Sequence, residues 1–390
     1  MYEYKQNGFF AQVTGKMETL CEEELIELGA AETKTTYKGV YFKAELLTLY
    51  KINYTSRLLS RVLAPLITFP CYTTNTLIQE AKKIYWEDFC SLEKTFAISS
   101  SVSKSRITNS LYASQCLKDG IADYFRDKYG KRPNVEVVNP DVRFNLHIDK
   151  DTAVISLDTS GESLHKRGYR LLAGEAPMQE TLAAAIIRLS KWDGEFPLWD
   201  PMCGSGTILC EALMHYCKIP AQKLRKKFGF FNMPDFDSTA WNKVKEEYDS
   251  KIRPLPKNII RGSDKSQKAI DVAKNNLSHL PYSDSVDISC KPFQQVKTFE
   301  NGTLITNPPY GMRLGELEEV QALYKEFGDF LKTNCTGTTA FIYTGNSELR
   351  KSIGLKTTRR IPVDNGKLEG VLLQIDSYKG SKKQKFNTDK

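Results

Sequence analysis

The sequence predicts an α/β protein in which an irregular α+β half is followed by a doubly wound parallel sheet. Three observations carry this. Beyond about residue 177 apolar strand patterns alternate with amphipathic helix patterns, as repeated β-α units require. Before residue 157 the elements alternate irregularly, as in an antiparallel or mixed sheet with helices. Between the two lies the polar stretch Asp158-Thr159-Ser160-Gly161-Glu162-Ser163. At 390 residues the chain is long enough for two or three domains, each with its own core.

The elements follow in order. Apolar residues 9–13 form a strand, and 17–28 a helix with Leu20, Glu24, Leu25 and Leu28 at helical spacing, closed by Gly29. Short strands follow at 31–35 and 39–42, then a helix at 74–84, a strand at 95–101 and a long amphipathic helix at 110–129. Strands are expected at 135–138, 143–147 and 153–157. The second half reads helix 177–191, strand 196–200, a glycine turn, helix 207–217, strand 259–263, helix 266–277, strands 286–289 and 303–306, helix 317–332, strand 338–343 and a strand pair within 355–375. On such a sheet ligands bind at the carboxyl ends of strands, where strand order reverses.

Composition narrows the class. Hydrophobic residues make up 41% and charged residues 26%, which excludes a largely disordered or fibrous chain. No apolar run approaches the roughly 20 residues of a spanning helix, and residues 1–8 lack the layout of a secretory signal, so a cytoplasmic location without a membrane partner is expected. Nine cysteines show no C-x-x-C pair and four histidines show no ligand spacing, so no metal is expected. Cys203, Cys210 and Cys217 read as buried thiols on a helix. The net charge of +8 biases the chain toward a polyanion. Basic residues concentrate at 101–132, 218–257 and 379–390, readable as solvated faces or as nucleic-acid contacts.

The chemistry gathers after three strands. Asp200-Pro201-Met202-Cys203-Gly204-Ser205-Gly206-Thr207 is a strand-to-helix turn, in which Gly204 and Gly206 let backbone approach a ligand and Thr207 opens a helix with unpaired N–H groups. Leu209 occupies the third position of a dinucleotide fingerprint, and the P-loop lysine is missing. Asp200 would repel a phosphate but suits the ammonium of S-adenosylmethionine, which has no phosphate. Asp264 ends the next strand, where a carboxylate can accept both ribose hydroxyls. The 64 residues from Asp200 to Asp264 exceed a bare β-α-β, so 218–257 is an insertion. It is either a surface appendage or a substrate contact in which Lys223, Arg225, Lys226 and Lys227 interleave with the rings of Phe228-Gly229-Phe230-Phe231.

Asn307-Pro308-Pro309-Tyr310 follows the apolar strand 303–306. Two prolines stiffen the strand end. The Asn307 amide oxygen and the Pro308 carbonyl can each accept one hydrogen of a planar exocyclic amine, directing its lone pair at a methyl group. Tyr310 supplies a ring for an extruded base.

These motifs, in this order, resemble the class I S-adenosyl-L-methionine-dependent methyltransferases of exocyclic base amines. Within them the chain is similar to the bacterial THUMP-domain RNA methyltransferases that form N2-methylguanosine, some of them labelled N6-adenine-specific DNA methylases. The likeness extends to residues 160–170, to 176–185 and to Gln115-Cys116-Leu117-Lys118-Asp119-Gly120-Ile121. It implies a ferredoxin-like domain at 1–57, a THUMP RNA-binding domain at 58–158, a Rossmann-like methyltransferase domain at 159–380 and a basic tail at 381–390. It implies cofactor binding by Thr181, Asp200, Cys203, Gly204, Gly206, Thr207, Asp264, Phe293 and Asn307, and catalysis by Asn307, Pro308, Pro309 and Tyr310. Where the family commonly has an acid facing the adenine amino group, this chain has Cys290-Lys291-Pro292-Phe293; Phe293 is expected on the adenine ring, with Gln294 replacing the acid.

The expected reaction is in-line methyl transfer to guanine N2 of 23S ribosomal RNA. Transfer RNA, adenine N6 of DNA, and a non-catalytic RNA-binding assembly factor are the alternatives.

Overall fold

The computed structural model describes residues 2–170, 178–310, 317–346, 348–366 and 368–377. Its contacts divide the chain into two units: 1–13, 18–166 and 221–248 form the first, and 14–17, 167–220 and 249–390 the second.

The first unit is built on one seven-stranded sheet. Its strands are β1 (Phe9–Gln12), β2 (Ala31–Thr36), β3 (Gly39–Lys43), β4 (Arg61–Pro70), β5 (Phe96–Ser103), β6 (Val142–Asp149) and β7 (Thr152–Asp158), in the order β2-β3-β1-β4-β7-β6-β5. Only β5 and β6 pair in parallel. β4 pairs with both β1 and β7, so a single sheet runs across residue 57. This central strand escapes the periodicity because Pro65 interrupts it. A register shift between Pro65 and Ile67 accommodates the missing N–H. The long helix forms at Ser110–Tyr129, where Asn109 accepts from the Tyr112 amide and left-handed Gly130 ends it.

One expected strand does not form. Val135 makes a single bridge to Phe96, and Val137 and Val138 stand exposed. The carbonyls of both are taken by the Arg143 guanidinium, and Pro140 cannot donate to a ladder.

The insertion is corrected too. Phe228 and Phe230 are buried in an aromatic cluster with Tyr50, Tyr54 and Trp241, with Phe230 4.6 Å from Tyr50 and Phe228 5.2 Å from Trp241 between ring centroids. Those rings are core and cannot stack on a nucleobase. Gly229 makes this possible, since a Cβ there would lie 1.8 Å from the Asp158 carbonyl oxygen. Arg225 spends its guanidinium on the carbonyls of Ser160, Glu162, Ser163 and Lys166. Lys226 and Lys227 remain exposed. The polar stretch at 158–160 is likewise interior, with Ser160 donating to Asn53 and Arg61 paired with Asp158.

The second unit contains β8 (Leu198–Asp200), β9 (Ile260–Asp264), β10 (Asp287–Cys290), β11 (Thr303–Thr306), β12 (Thr339–Thr344), β13 (Arg359–Pro362) and β14 (Val371–Asp376), ordered β10-β9-β8-β11-β12-β14-β13. The first five are parallel; β14 runs antiparallel to both its neighbours. Strand order reverses at β8, between β9 and β11. Helices Glu180–Ser190 and Thr207–Tyr216 are buried almost throughout, and helix Leu317–Asn334 packs Phe327 and Phe330 into a core with Trp199, Phe293 and Phe299. The expected helix start at Pro177 and the tail at 381–390 lie outside the described residues. Among the described residues no helix is long and apolar enough to cross a membrane.

The wholly buried Phe230 should be a stability determinant. Phe230→Ala should lower unfolding free energy by about 3–5 kcal/mol in urea titrations; an unchanged midpoint would mean that the cluster is not core.

Candidate active site

The site forms where strand order reverses, at the carboxyl ends of β8, β9 and β11. β8 is tied to both neighbours. Toward β9, Trp199 Nε1 donates to Ser263 Oγ at 3.2 Å, the Cys203 amide to the Ser263 carbonyl at 3.0 Å, and the Gly204 amide to Asp264 Oδ2 at 3.0 Å. Toward β11, Thr306 Oγ1 donates to Asp200 Oδ1 at 2.8 Å.

Asp200 is therefore a brace. Its Oδ1 also accepts the Met202 amide at 3.2 Å, and the residue is only 1% exposed. Both of these contacts fall on Oδ1. Burial pushes its carboxyl up to about 7, aided by the Asp264 charge and opposed by the Thr306 and Met202 hydrogen bonds.

Asp264 is held by two backbone amides, Gly204 on Oδ2 and Ser266 on Oδ1 at 2.9 Å. Each oxygen keeps a lone pair, so the carboxylate is oriented yet still able to accept hydroxyls. Gly204 adopts φ +51° with open space where a Cβ would point; Gly206, at φ +78°, would set a Cβ 3.0 Å from Ala273 Cβ. The first glycine leaves room beside the turn, and the second lets helix Gln267–Leu277 approach. Cys203 is buried, and burial raises its thiol.

Thr207 opens its helix, and its Oγ1 accepts from Arg170 Nη2 at 2.7 Å. Thr181 is wholly buried and its Oγ1 has no hydrogen-bond partner. Asn307 follows β11, and its Oδ1 is buried without a partner as well. Pro308 is buried, Pro309 exposed and Tyr310 half-buried. The Tyr310 ring meets Tyr343 edge-on at 6.4 Å, and burial raises its phenol pKa against the Asn307 amide beside it. Gly311 lies outside the described residues.

Phe293 does not line this space. It is 2% exposed and packs edge-on against Phe327 and Phe330, because the turn after β10 directs it into the core. Gln294 is also engaged elsewhere, its Nε2 donating to Glu326 at 3.0 Å. Sequence reasoning missed Thr306, whose signal was a hydroxyl closing an apolar strand, and Arg170, which carried no local signal.

Orphaned acceptors at Asn307 and Thr181, a carboxylate with spare lone pairs and an open glycine turn together fit a neutral-adenosine cofactor with hydrogens to donate. The fold and this arrangement define a class I methyltransferase. Family models agree: one described as RMKL-like, methyltransferase domain, matches residues 167–374, a THUMP domain matches 71–158 and an RlmL ferredoxin-like domain matches 8–63.

The chain belongs to the RMKL-like methyltransferase family and is a methyltransferase. It is 37% identical over 371 residues to a candidate RNA methyltransferase of Synechocystis, covering 95% of this chain and 97% of that one. It is 36% identical over 384 residues to the ribosomal RNA large subunit methyltransferase K/L of Syntrophotalea carbinolica, covering 94% of this chain but 53% of the relative, so it spans about half of that protein. Among solved structures, the methyltransferase candidate SMU.472 complexed with SAH superposes with a TM-score of 0.83 at 30% identity, covering 96% of this chain and 98% of that one. A Listeria monocytogenes protein described as a predicted N6-adenine-specific DNA methylase gives 0.81 at 28% identity, covering 95% and 96%.

The Asp200 shift has a stability consequence. An unfolded carboxyl loses its proton near its ordinary value of 3.8, whereas the folded one keeps it up to about 7. The folded state thus binds more protons in that window, so stability should fall as pH rises through it. Asp200→Asn should flatten this slope and melt higher than wild type at pH about 8, with the gap closing toward pH about 4. Parallel melting profiles would contradict the shift.

Proposed function

We propose that this chain transfers a methyl group from S-adenosyl-L-methionine to guanine N2 of large-subunit ribosomal RNA. The buried, unpartnered Asn307 Oδ1 carries the reading, set after β11 at the same carboxyl edge of the sheet as the Gly204 turn and Asp264. A buried acceptor without a donor is destabilising unless a ligand supplies the hydrogen.

When bound, the cofactor supplies an electrophilic methyl on a cationic sulfur. Asp264 would hold the ribose hydroxyls, and the Gly204 turn would pass beneath the chain that joins ribose to amino acid. Asn307 Oδ1 and the Pro308 carbonyl would accept the two hydrogens of the target amine. As the nitrogen pyramidalises, that grip aims its lone pair along the line of displacement. Tyr310 would stack on the base, with Tyr343 steadying its ring. The leaving group is neutral and the product proton passes to water, so no histidine or cysteine is required.

RNA as substrate is supported by the THUMP match and by the names of the relatives in Synechocystis and Syntrophotalea carbinolica. The target must leave its stack, so an unpaired or readily opened site is expected.

Nucleoside mass spectrometry of unmodified 23S RNA incubated with enzyme and cofactor tests this. N2-methylguanosine is expected; N6-methyladenosine, or methylation of DNA or tRNA alone, would replace the assignment. Asn307→Ala should lower kcat by about 100-fold or more while cofactor Kd stays within about twofold. Asp264→Ala should instead raise cofactor Kd by about tenfold or more. Equal turnover in the Asn307 variant would remove it from catalysis.

A further inference from the structure

The ferredoxin-like segment 8–63 carries rings that, unlike those of the insertion, are open. In its part of the first sheet β1 pairs with β3 on one side and β4 on the other, and β2 forms the edge. Residues paired directly across antiparallel strands share a face. Lys34, Tyr41, Phe10 and Leu63 therefore form one row across four strands, and Thr36, Gly39, Gln12 and Arg61 form the next. The opposite face carries Phe9, Ala11, Val40, Phe42 and Val62, all buried.

The first face is different. Tyr41 is 49% exposed, Lys34 and Thr36 are exposed, and Phe10 is half-buried. Phe10 and Tyr41 are direct cross-strand partners whose ring centroids lie 4.8 Å apart. A Cβ at Gly39 would lie 2.1 Å from Phe10 Cζ, so the Phe10 ring rests along the sheet over this glycine. Tyr37, in the two-residue turn between β2 and β3, is 82% exposed, with Lys38 Nζ 5.3 Å from its ring centroid. Lys43 is paired with Glu32 at 2.6 Å, whereas Lys34 has no ion-pair partner among the described residues. Toward β4 the row closes, because Leu63 is buried and Arg61 is paired with Asp158.

A docked helix or sheet would call for a continuous aliphatic patch. Here the rings stand among hydroxyl, amide and ammonium groups. That mixture matches a ligand with flat apolar faces on an anionic backbone, which is a single-stranded nucleic acid. Adjacent rings on the two central strands of a four-stranded sheet are also an arrangement that stacks unpaired RNA bases.

We propose that this face of β1, β3 and β2 binds unpaired nucleotides of the RNA substrate, Tyr41 and Phe10 each stacking one base while Lys34 and Lys38 meet phosphates. The inference rests on the RNA reading above and adds to it a contact carried by the first unit.

Fluorescence anisotropy of the full chain with a labelled single-stranded RNA of about ten nucleotides, and with the same strand in a duplex, tests this. Tyr41→Leu and Phe10→Leu should each weaken single-strand binding by about tenfold and leave duplex affinity within about twofold of wild type. Tyr41→Phe, which keeps the ring, should bind like wild type. Lys34→Gln should reduce the slope of log affinity against log salt by about 0.7. In methylation of 23S RNA, Tyr41→Leu should raise KM by about tenfold with kcat unchanged. Because Tyr41 is exposed, its variants keep the test independent of whether Phe10→Leu folds. Single-strand affinity equal in Tyr41→Leu and wild type, or lost equally for single strand and duplex, overturns the stacking role while the RNA reading stands. Wild type that binds neither RNA form and leaves 23S RNA unmethylated overturns the RNA reading, and this inference with it.

Discussion

Hydrogen bonding across the short strand β8 holds the candidate site together. β8 has only three residues, yet it sits where strand order reverses, and the strands that carry Asp264 and Asn307 flank it. Ladder bonds alone would fix so short a strand weakly. The Gly204 amide on Asp264, the Trp199 indole on Ser263 and the Asp200 carboxylate under Thr306 add side-chain ties on both edges. The placement of Asp264 relative to Asn307 is thereby set by contacts within the protein, as positioning catalysis requires.

The structure keeps its polar groups either closed or open. Arg61–Asp158 and Arg225 on four carbonyls are closed, satisfied within the protein. Asn307, Thr181, Glu180 and Arg170 each leave a buried atom unsatisfied, and all four lie on segments adjoining the carboxyl end of the second unit's sheet or the helix start beside it. Buried orphans are unfavourable in the free protein.

Much of this was readable in the chain. The β-α alternation, the glycine turn, Asp264 and the Asn-Pro-Pro-Tyr segment each depend on short-range pattern, and the strand ends fall within one or two residues of their expected positions. The failures share a cause. Val135–Val138 has strand composition, but Arg143 takes the carbonyls of Val137 and Val138, and Pro140 has no N–H for a ladder. Pro65 hid a central strand whose bulge is visible only with both partners in place. The rings of the insertion suggested a stacking platform, and Phe293 an adenine contact, because a sequence shows an aromatic side chain without showing what covers it.

The sequence by itself determined the fold class, the order of the motifs and the class of enzyme, a methyltransferase, since these follow from periodicity and from residues adjacent along the chain. Tertiary structure alone decided which partner each carboxylate meets. Asp200 and Asp264 are both carboxylates that end a strand. What distinguishes them is the donor brought from elsewhere in the chain: the Thr306 hydroxyl on Oδ1 of the first, the Gly204 amide on Oδ2 of the second. Contacts between residues distant along the chain have no local signal, because burial and partner are set only when the strands and helices assemble.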